Sequence, residues 1–329
     1  MFISKDYKIF IAGHSGMVGS AIKRSLIKKG YTNLLCPNRK DLNLLNYLEV
    51  ENWFEINKPD VVILAAAKVG GIIANSKYTA DFILENLKIQ TNVIESAWKY
   101  KVKRFLFLGS SCIYPKLAKQ PLKEEYLLAG KLEKTNESYA IAKIAGIKLC
   151  NALKTQYEFD AISLMPTNLY GKGDNYHPTN SHVLPAMISK FYEAKNKGLK
   201  KVDCFGTGSP KREFLFVDDL AEASIFVLEN ISKDNENLYD DFGNFCGILN
   251  VGVGLEISIK ELANLTASIV GYKGEIIWDI SKPDGTPRKL LDVSKLNKMG
   301  WSAKTNLEKG IKLTLKSYID ELKSKNIRF

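Results

Sequence analysis

The chain reads as an α/β protein built on a parallel β-sheet with helices on both faces. Three observations predict this: strand-length apolar runs alternate with helix-length stretches as far as about residue 170, the runs lack the polar alternation of a one-faced sheet, and a glycine-rich turn joins the first run to the first helix. With 329 residues, 45% of them hydrophobic, the chain can bury a full-sized core.

Lys8 to Ala12 (KIFIA) is a short strand of buried type ending at Gly13, and Met17 to Lys29 follows with Val18, Ile22 and Leu26 at helical spacing. Asn33 to Cys36 reads as a second strand, Leu44 to Ile56 as a helix, Asp60 to Ala66 as a third strand and Ser76 to Tyr100 as one long helix. Arg104 to Leu108 is the fourth strand. A Lys- and Pro-containing loop leads to a helix over Glu137 to Tyr157, and Ala161 to Met165 is another strand. After Tyr170 the rhythm changes: Val183 to Lys195 is helical, but the strands become short. Phe214 to Phe216 runs into a helix reaching Leu228, and Ile248 to Gly252 (ILNVG) reads as a core strand returning to the first region. Near the end Thr305 and Glu308 have the spacing of a capping box, and Leu307, Ile311, Leu315, Tyr318, Ile319 and Leu322 form the stripe of an amphipathic helix.

The balance of 47 Lys and Arg against 36 Asp and Glu leaves +11, much of it in stretches such as Lys195 to Lys201 and Lys316 to Arg328. That favours an anionic partner, but the dense basic stripe or aromatic-basic motif of a nucleic-acid reader is missing. Five scattered Cys without CxxC spacing point to neither a disulfide framework nor a zinc site, so no metal is expected. The apolar run Val61 to Ala67 stops at Lys68, short of the ~20 residues a membrane span needs, and a cytoplasmic, reducing location is expected.

Gly13-His14-Ser15-Gly16-Met17-Val18-Gly19 lies between the first strand and the first helix, where a phosphate must approach main-chain N–H groups and a side chain would block it. At the end of the second strand Arg39 and Lys40 precede any carboxylate, which favours NADP(H), with its 2′-phosphate, over NAD(H). Tyr139 and Lys143 share one helix face, so the ammonium is expected to lower the phenol's pKa and let Tyr139 exchange a proton with a carbonyl or alcohol oxygen. Gly109-Ser110-Ser111-Cys112 lies just after the fourth strand, where ligands of such sheets collect.

Together, GxxGxxG, a serine after strand four and YxxxK resemble the extended short-chain dehydrogenase/reductase family, and Val217-Asp218-Asp219 and Asn250-Val251-Gly252 resemble its later landmarks. Gly109 to Gln120, Ser138 to Lys148, Met165 to Tyr170, Asn180-Ser181-His182 and Lys282 to Asp292 are similar to the branch of 3,5-epimerase-4-reductases acting on GDP-4-keto-6-deoxy-D-mannose.

The resemblance implies a Rossmann-like, doubly wound parallel sheet with a smaller, discontinuous α/β substrate domain. Residues 1–170, with returning segments near 214–230 and 247–254, would hold NADP(H); residues 171–213 and 255–329 would hold the sugar nucleotide. It assigns Tyr139, Lys143 and Ser110 to the C4 oxygen, and Cys112 and His182 as the acid-base pair that inverts C3 and C5; a 4-epimerase tends to carry a small apolar residue in place of Cys112. The cofactor set is Gly13, His14, Ser15, Gly16, Met17, Val18, Gly19, Arg39, Leu108, Gly109, Ser110, Ser111, Lys143, Pro166, Thr167, Asn168, Leu169 and His182. Substrate contacts fall on Lys190, Phe205, Arg212 and Asp284. Ser15 stands where some relatives carry Arg, and Lys190 likewise, which keeps charge but loses the bidentate fork. A homodimer through the 76–100 helix and the Tyr139-bearing helix is implied. The competing readings are an NAD-dependent 4-epimerase or dehydratase of the same fold, and a non-catalytic dinucleotide-binding scaffold.

Overall fold

A computed structural model describes residues 1–178, 180–240, 242–282 and 284–328. The first half comprises β1 (Ile9–Ala12), α1 (Met17–Lys28), β2 (Leu34–Leu35), α2 (Tyr47–Asn57), β3 (Val61–Leu64), α3 (Ile72–Lys77), α4 (Thr79–Lys99), β4 (Arg104–Leu108), α5 (Glu137–Tyr157) and β5 (Ala161–Pro166). The second comprises β6 (Asn168–Tyr170), α6 (Val183–Asn196), β7 (Lys201–Phe205), β8 (Lys211–Arg212), β9 (Phe214–Phe216), α7 (Val217–Asn230), β10 (Ile248–Val251), β11 (Ile257–Ser258), α8 (Ile259–Val270), β12 (Glu275–Asp279), β13 (Arg288–Lys289), α9 (Ser294–Lys298) and α10 (Leu307–Lys323).

Six strands form one sheet in the order β10-β5-β4-β3-β1-β2, and every neighbouring pair is parallel. Successive side chains of β1 go to opposite faces: Ile9 and Ile11 pack with Ile22 and Leu26 of α1 and Leu220 of α7, while Phe10 packs with Phe54 of α2, Ile94 of α4 and Ile147 of α5. Chain order reverses between β1 and β3, so their carboxyl ends open the crevice where a doubly wound sheet binds ligands. Behind the sheet, buried Arg104 fixes β4 to α7 by donating to the Asp160 carboxylate and to the carbonyls of Leu228 and Ile231.

A third apolar cluster lies outside the large sheet. Tyr170, Ile188, Phe191, Phe214, Leu262 and Tyr318 draw α6, α8, α10 and β9 together. Three small sheets surround it: β8 between antiparallel β11 and parallel β13, and the parallel pairs β7–β12 and β6–β9.

Three local expectations are corrected. The helix expected over 76–100 is two helices, because α3 closes on the Tyr78 N–H to Ala74 carbonyl bond and Tyr78 itself leaves helical geometry (φ −114, ψ 43). The strand expected over 60–66 ends at Leu64, since Ala66 must pass against Gly13. Asn306, not Thr305, caps α10: its side chain accepts from the Lys309 N–H at 2.9 Å, whereas Thr305 is held by the Asp219 carboxylate through both its N–H and its hydroxyl (2.8 and 3.1 Å). Asp219 of the Val217-Asp218-Asp219 landmark thus anchors the last helix.

Candidate active site

The glycine turn is built for a close approach. Gly13 takes a left-handed backbone (φ +88), and a Cβ there would stand 2.7 Å from the Ala66 nitrogen. A side chain at Gly19 would run into the Gly13 carbonyl, so α1 could not pack this near β1. Gly16 begins α1 without a side-chain cap, and no acidic residue follows in the first turn, leaving the N–H groups around Met17 and Val18 to an anion. A dinucleotide pyrophosphate fits this cradle. His14 lies beside it, its imidazole held below the usual histidine range by burial and then by the Lys23 charge. Ser15 and Arg39 are exposed, and Arg39 makes no ion pair among the described residues.

At the end of β4, Gly109 leaves room for the Met165 side chain, and Leu108 and Ser111 are buried. Lys143 is buried as well and donates to the Leu108 carbonyl at 2.8 Å. Burial pushes its ammonium down to about 7, while the neighbouring Tyr139 phenol is raised above 10.0 by burial and then by Cys112, a shift the Ser110 hydroxyl partly opposes. This corrects the expected direction: in a dry pocket the cation is disfavoured and the phenol keeps its proton, which suits a proton donor.

Cys112 is brought forward by a single 3₁₀ turn, Ser111–Ile113, whose start is capped by the Ser110 hydroxyl accepting from the Cys112 N–H at 3.2 Å. Two donors converge on its sulfur: Asn136 Nδ2 at 3.3 Å and Lys289 Nζ at 3.4 Å. Neither was among the candidates read from sequence, because each reaches the thiol from a distant segment. His182 opens α6 at the same cleft. His182 is exposed as a residue, yet the surrounding protein holds its pKa below 6.5, by desolvation first and the Lys289 charge second. Lys289 therefore touches Cys112 and lies near enough to His182 for its charge to act on it. The Asn136 Oδ1 atom is buried without a partner.

The expected substrate residues fall into two groups. Arg212 lies among Cys112, Asp284 and Glu133, with burial pulling its pKa down against those three groups. Lys190 Nζ sits 4.9 Å from the centre of the exposed Phe205 ring and donates to the Asp203 carbonyl. Both Asp284 oxygens accept from Thr207 (3.0 and 2.7 Å), so Asp284 ties the 206–209 loop to the Lys282–Asp292 stretch, of which Pro283 lies outside the described residues. Thr167 and Asn168, expected at the cofactor with Pro166 and Leu169, both donate to the Glu213 carbonyl. Glu213 is itself a buried hub that sequence reading missed: its carboxylate accepts from the N–H groups of Val253, Gly254 and Leu291, joining the segments that carry Arg212 and Lys289.

Residues 9–241 match the profile of the NAD dependent epimerase/dehydratase family. The chain belongs to that family. Among curated relatives of this epimerase/dehydratase, a putative GDP-L-fucose synthase 2 of Arabidopsis thaliana is 54% identical, over 98% of this chain and 95% of its own length. The GDP-L-fucose synthase of Escherichia coli K12 is 51% identical, over 95% of this chain and 97% of its own. Of the solved structures, a GDP-mannoheptose C4 reductase from Campylobacter jejuni with NADP bound superposes with a TM-score of 0.87 at 38% identity, covering 96% of this chain and 99% of that one. No group of three or more His, Cys, Asp or Glu side chains suited to a metal occurs among the described residues, and no described helix is long and apolar enough to cross a membrane.

Proposed function

We propose that the chain is a GDP-L-fucose synthase, which epimerises GDP-4-keto-6-deoxy-D-mannose at C3 and C5 and then reduces C4. The observation that carries this reading is the Cys112 sulfur, held by Asn136 and Lys289 in the same cleft as the Tyr139–Lys143 pair. Hydride reduction of a ketone does not itself require a thiol. An epimerase that works beside a ketone needs two groups on opposite sides of the sugar, one to remove a proton and one to return it.

Cys112, with an ammonium and an amide directed at its sulfur, takes the proton from carbon, and His182 returns one. Ser110, Tyr139 and Lys143 hold the C4 oxygen while enolate charge develops on it. When bound in the Gly13–Gly19 turn, NADPH supplies the hydride for C4. The phenol of Tyr139, which keeps its proton in the free protein, then protonates the alkoxide. Arg212 faces the diphosphate, Lys190 and Phe205 form a cation-topped apolar platform for the nucleoside, and Arg39 meets the 2′-phosphate.

This reading divides the chain into a cofactor unit of residues 1–170 with the returning segments near 214–230 and 247–254, and a sugar-nucleotide unit of 171–213 and 255–329. It places the enzyme in the cytoplasm as a homodimer, for which Leu84 of α4 and Ile141 of α5, 53% and 43% exposed, offer an apolar face. The test separates the half-reactions. Tyr139→Phe should abolish C4 reduction, by about 10²- to 10⁴-fold, yet still wash solvent deuterium into C3 and C5. Cys112→Ala should suppress that exchange. Full turnover by either variant overturns the assignment.

A further inference from the structure

The end of the chain returns to its beginning. After α10 the backbone turns at Lys325 (φ 56), Ile327 packs onto the third apolar cluster, and the Arg328 carbonyl accepts from the Tyr176 N–H at 3.0 Å. The 171–176 loop that receives this tail is held by α10 as well, the Gly173 N–H donating to Glu321 at 3.1 Å. That loop borders the first turn of α1: a Cβ on Gly173 would stand 3.9 Å from the Met17 Cα. Tail, loop and glycine turn therefore meet at one place.

The Arg328 guanidinium is carried to the mouth of the turn, with Nη1 3.9 Å from the point that a Gly16 Cβ would occupy. Among the described residues it makes no ion pair. Its charge is felt at Asp174, which is buried with Oδ2 lacking a partner and whose Oδ1 accepts from the Asn175 N–H. An uncapped helix N-terminus already concentrates positive partial charge, and a guanidinium beside it adds more. Such a pairing is favourable when a doubly charged anion lies between the two, and Arg is the side chain whose planar fork matches phosphate oxygens.

We propose that Arg328 is a cofactor-binding residue: it closes over the pyrophosphate of the dinucleotide from the side opposite the α1 N–H groups. The C-terminal tail is thereby a strap whose docking and cofactor binding reinforce one another. The proposal rests on the reading of Gly13–Gly19 as the dinucleotide site.

Calorimetric titration of the full chain with NADP⁺ and with 2′-AMP, a fragment that lacks the pyrophosphate, tests it. R328Q should weaken NADP⁺ about tenfold and leave 2′-AMP within twofold, and R328K should recover part of the loss. Equal NADP⁺ affinity in R328Q and the parent overturns the proposal. So does an equal loss for NADP⁺ and 2′-AMP, which would make the tail a structural support only. If the parent chain fails to bind NADP⁺, the dinucleotide reading falls and the proposal with it.

Discussion

Replacing Lys143 by Met should make the cofactor-free protein more stable while removing its reductase activity. Lys143 is 3% exposed and faces a carbonyl, with no carboxylate paired to it among the described residues. Burial lowers its pKa from 10.5 to about 7, a gap that corresponds to about 5 kcal/mol of cost when the ammonium is charged. Met fills a similar volume, but the variant loses the hydrogen bond to Leu108 and strands its carbonyl, offsetting about 1–3 kcal/mol of the gain. The net expectation is a stabilisation of about 2–4 kcal/mol at pH 6.5. The pH dependence follows from the sign of the shift. Below about pH 7 the folded and unfolded chains both carry the proton and the cost is whole; between there and 10.5 only the unfolded chain keeps it, so the parent gains stability as pH rises. Urea denaturation of both proteins at pH 6.5 and 9.5 reads this directly. A Lys143→Met variant that is less stable at pH 6.5, or equally displaced at both pH values, would refute the burial argument.

Glu213→Ala should cost about 3 kcal/mol, because one buried and two half-buried N–H groups lose their shared acceptor, and a melting experiment would show the drop. It should also slow deuterium exchange into the substrate, since Lys289 follows Leu291 out of place. Arg39→Ser should lower kcat/KM for NADPH about tenfold or more and leave that for NADH nearly unchanged, a comparison made in steady-state assays. Leu84→Glu together with Ile141→Glu should leave a monomer by light scattering if the α4–α5 face joins two copies.

The parts of this molecule written in local patterns were legible. The strands of the large sheet declare themselves as apolar runs, and the Gly13–Gly19 turn and the Tyr139–Lys143 spacing are features of single segments. What sequence did not disclose depends on contacts between distant segments. Lys289 and Asn136 meet Cys112 only because β13 lines up beside β8 and the 3₁₀ turn brings the thiol forward. Glu213 resembles any acidic residue until the link between β8 and β9 that carries it is buried and its carboxylate meets three backbone N–H groups. The phenol and ammonium shifts run opposite to the simple pair argument because desolvation, which spacing does not encode, is the leading cause of both. Thr305 and Glu308 had capping-box spacing, but Asp219 captured Thr305 from α7.

The central claim is that one cleft performs both epimerisation and reduction. It is tested most directly by incubating the protein with GDP-4-keto-6-deoxy-D-mannose and NADPH and determining the configuration of the product by NMR. The account predicts GDP-L-fucose; GDP-D-rhamnose, the product of reduction without inversion, or no NADPH-dependent product, would contradict it.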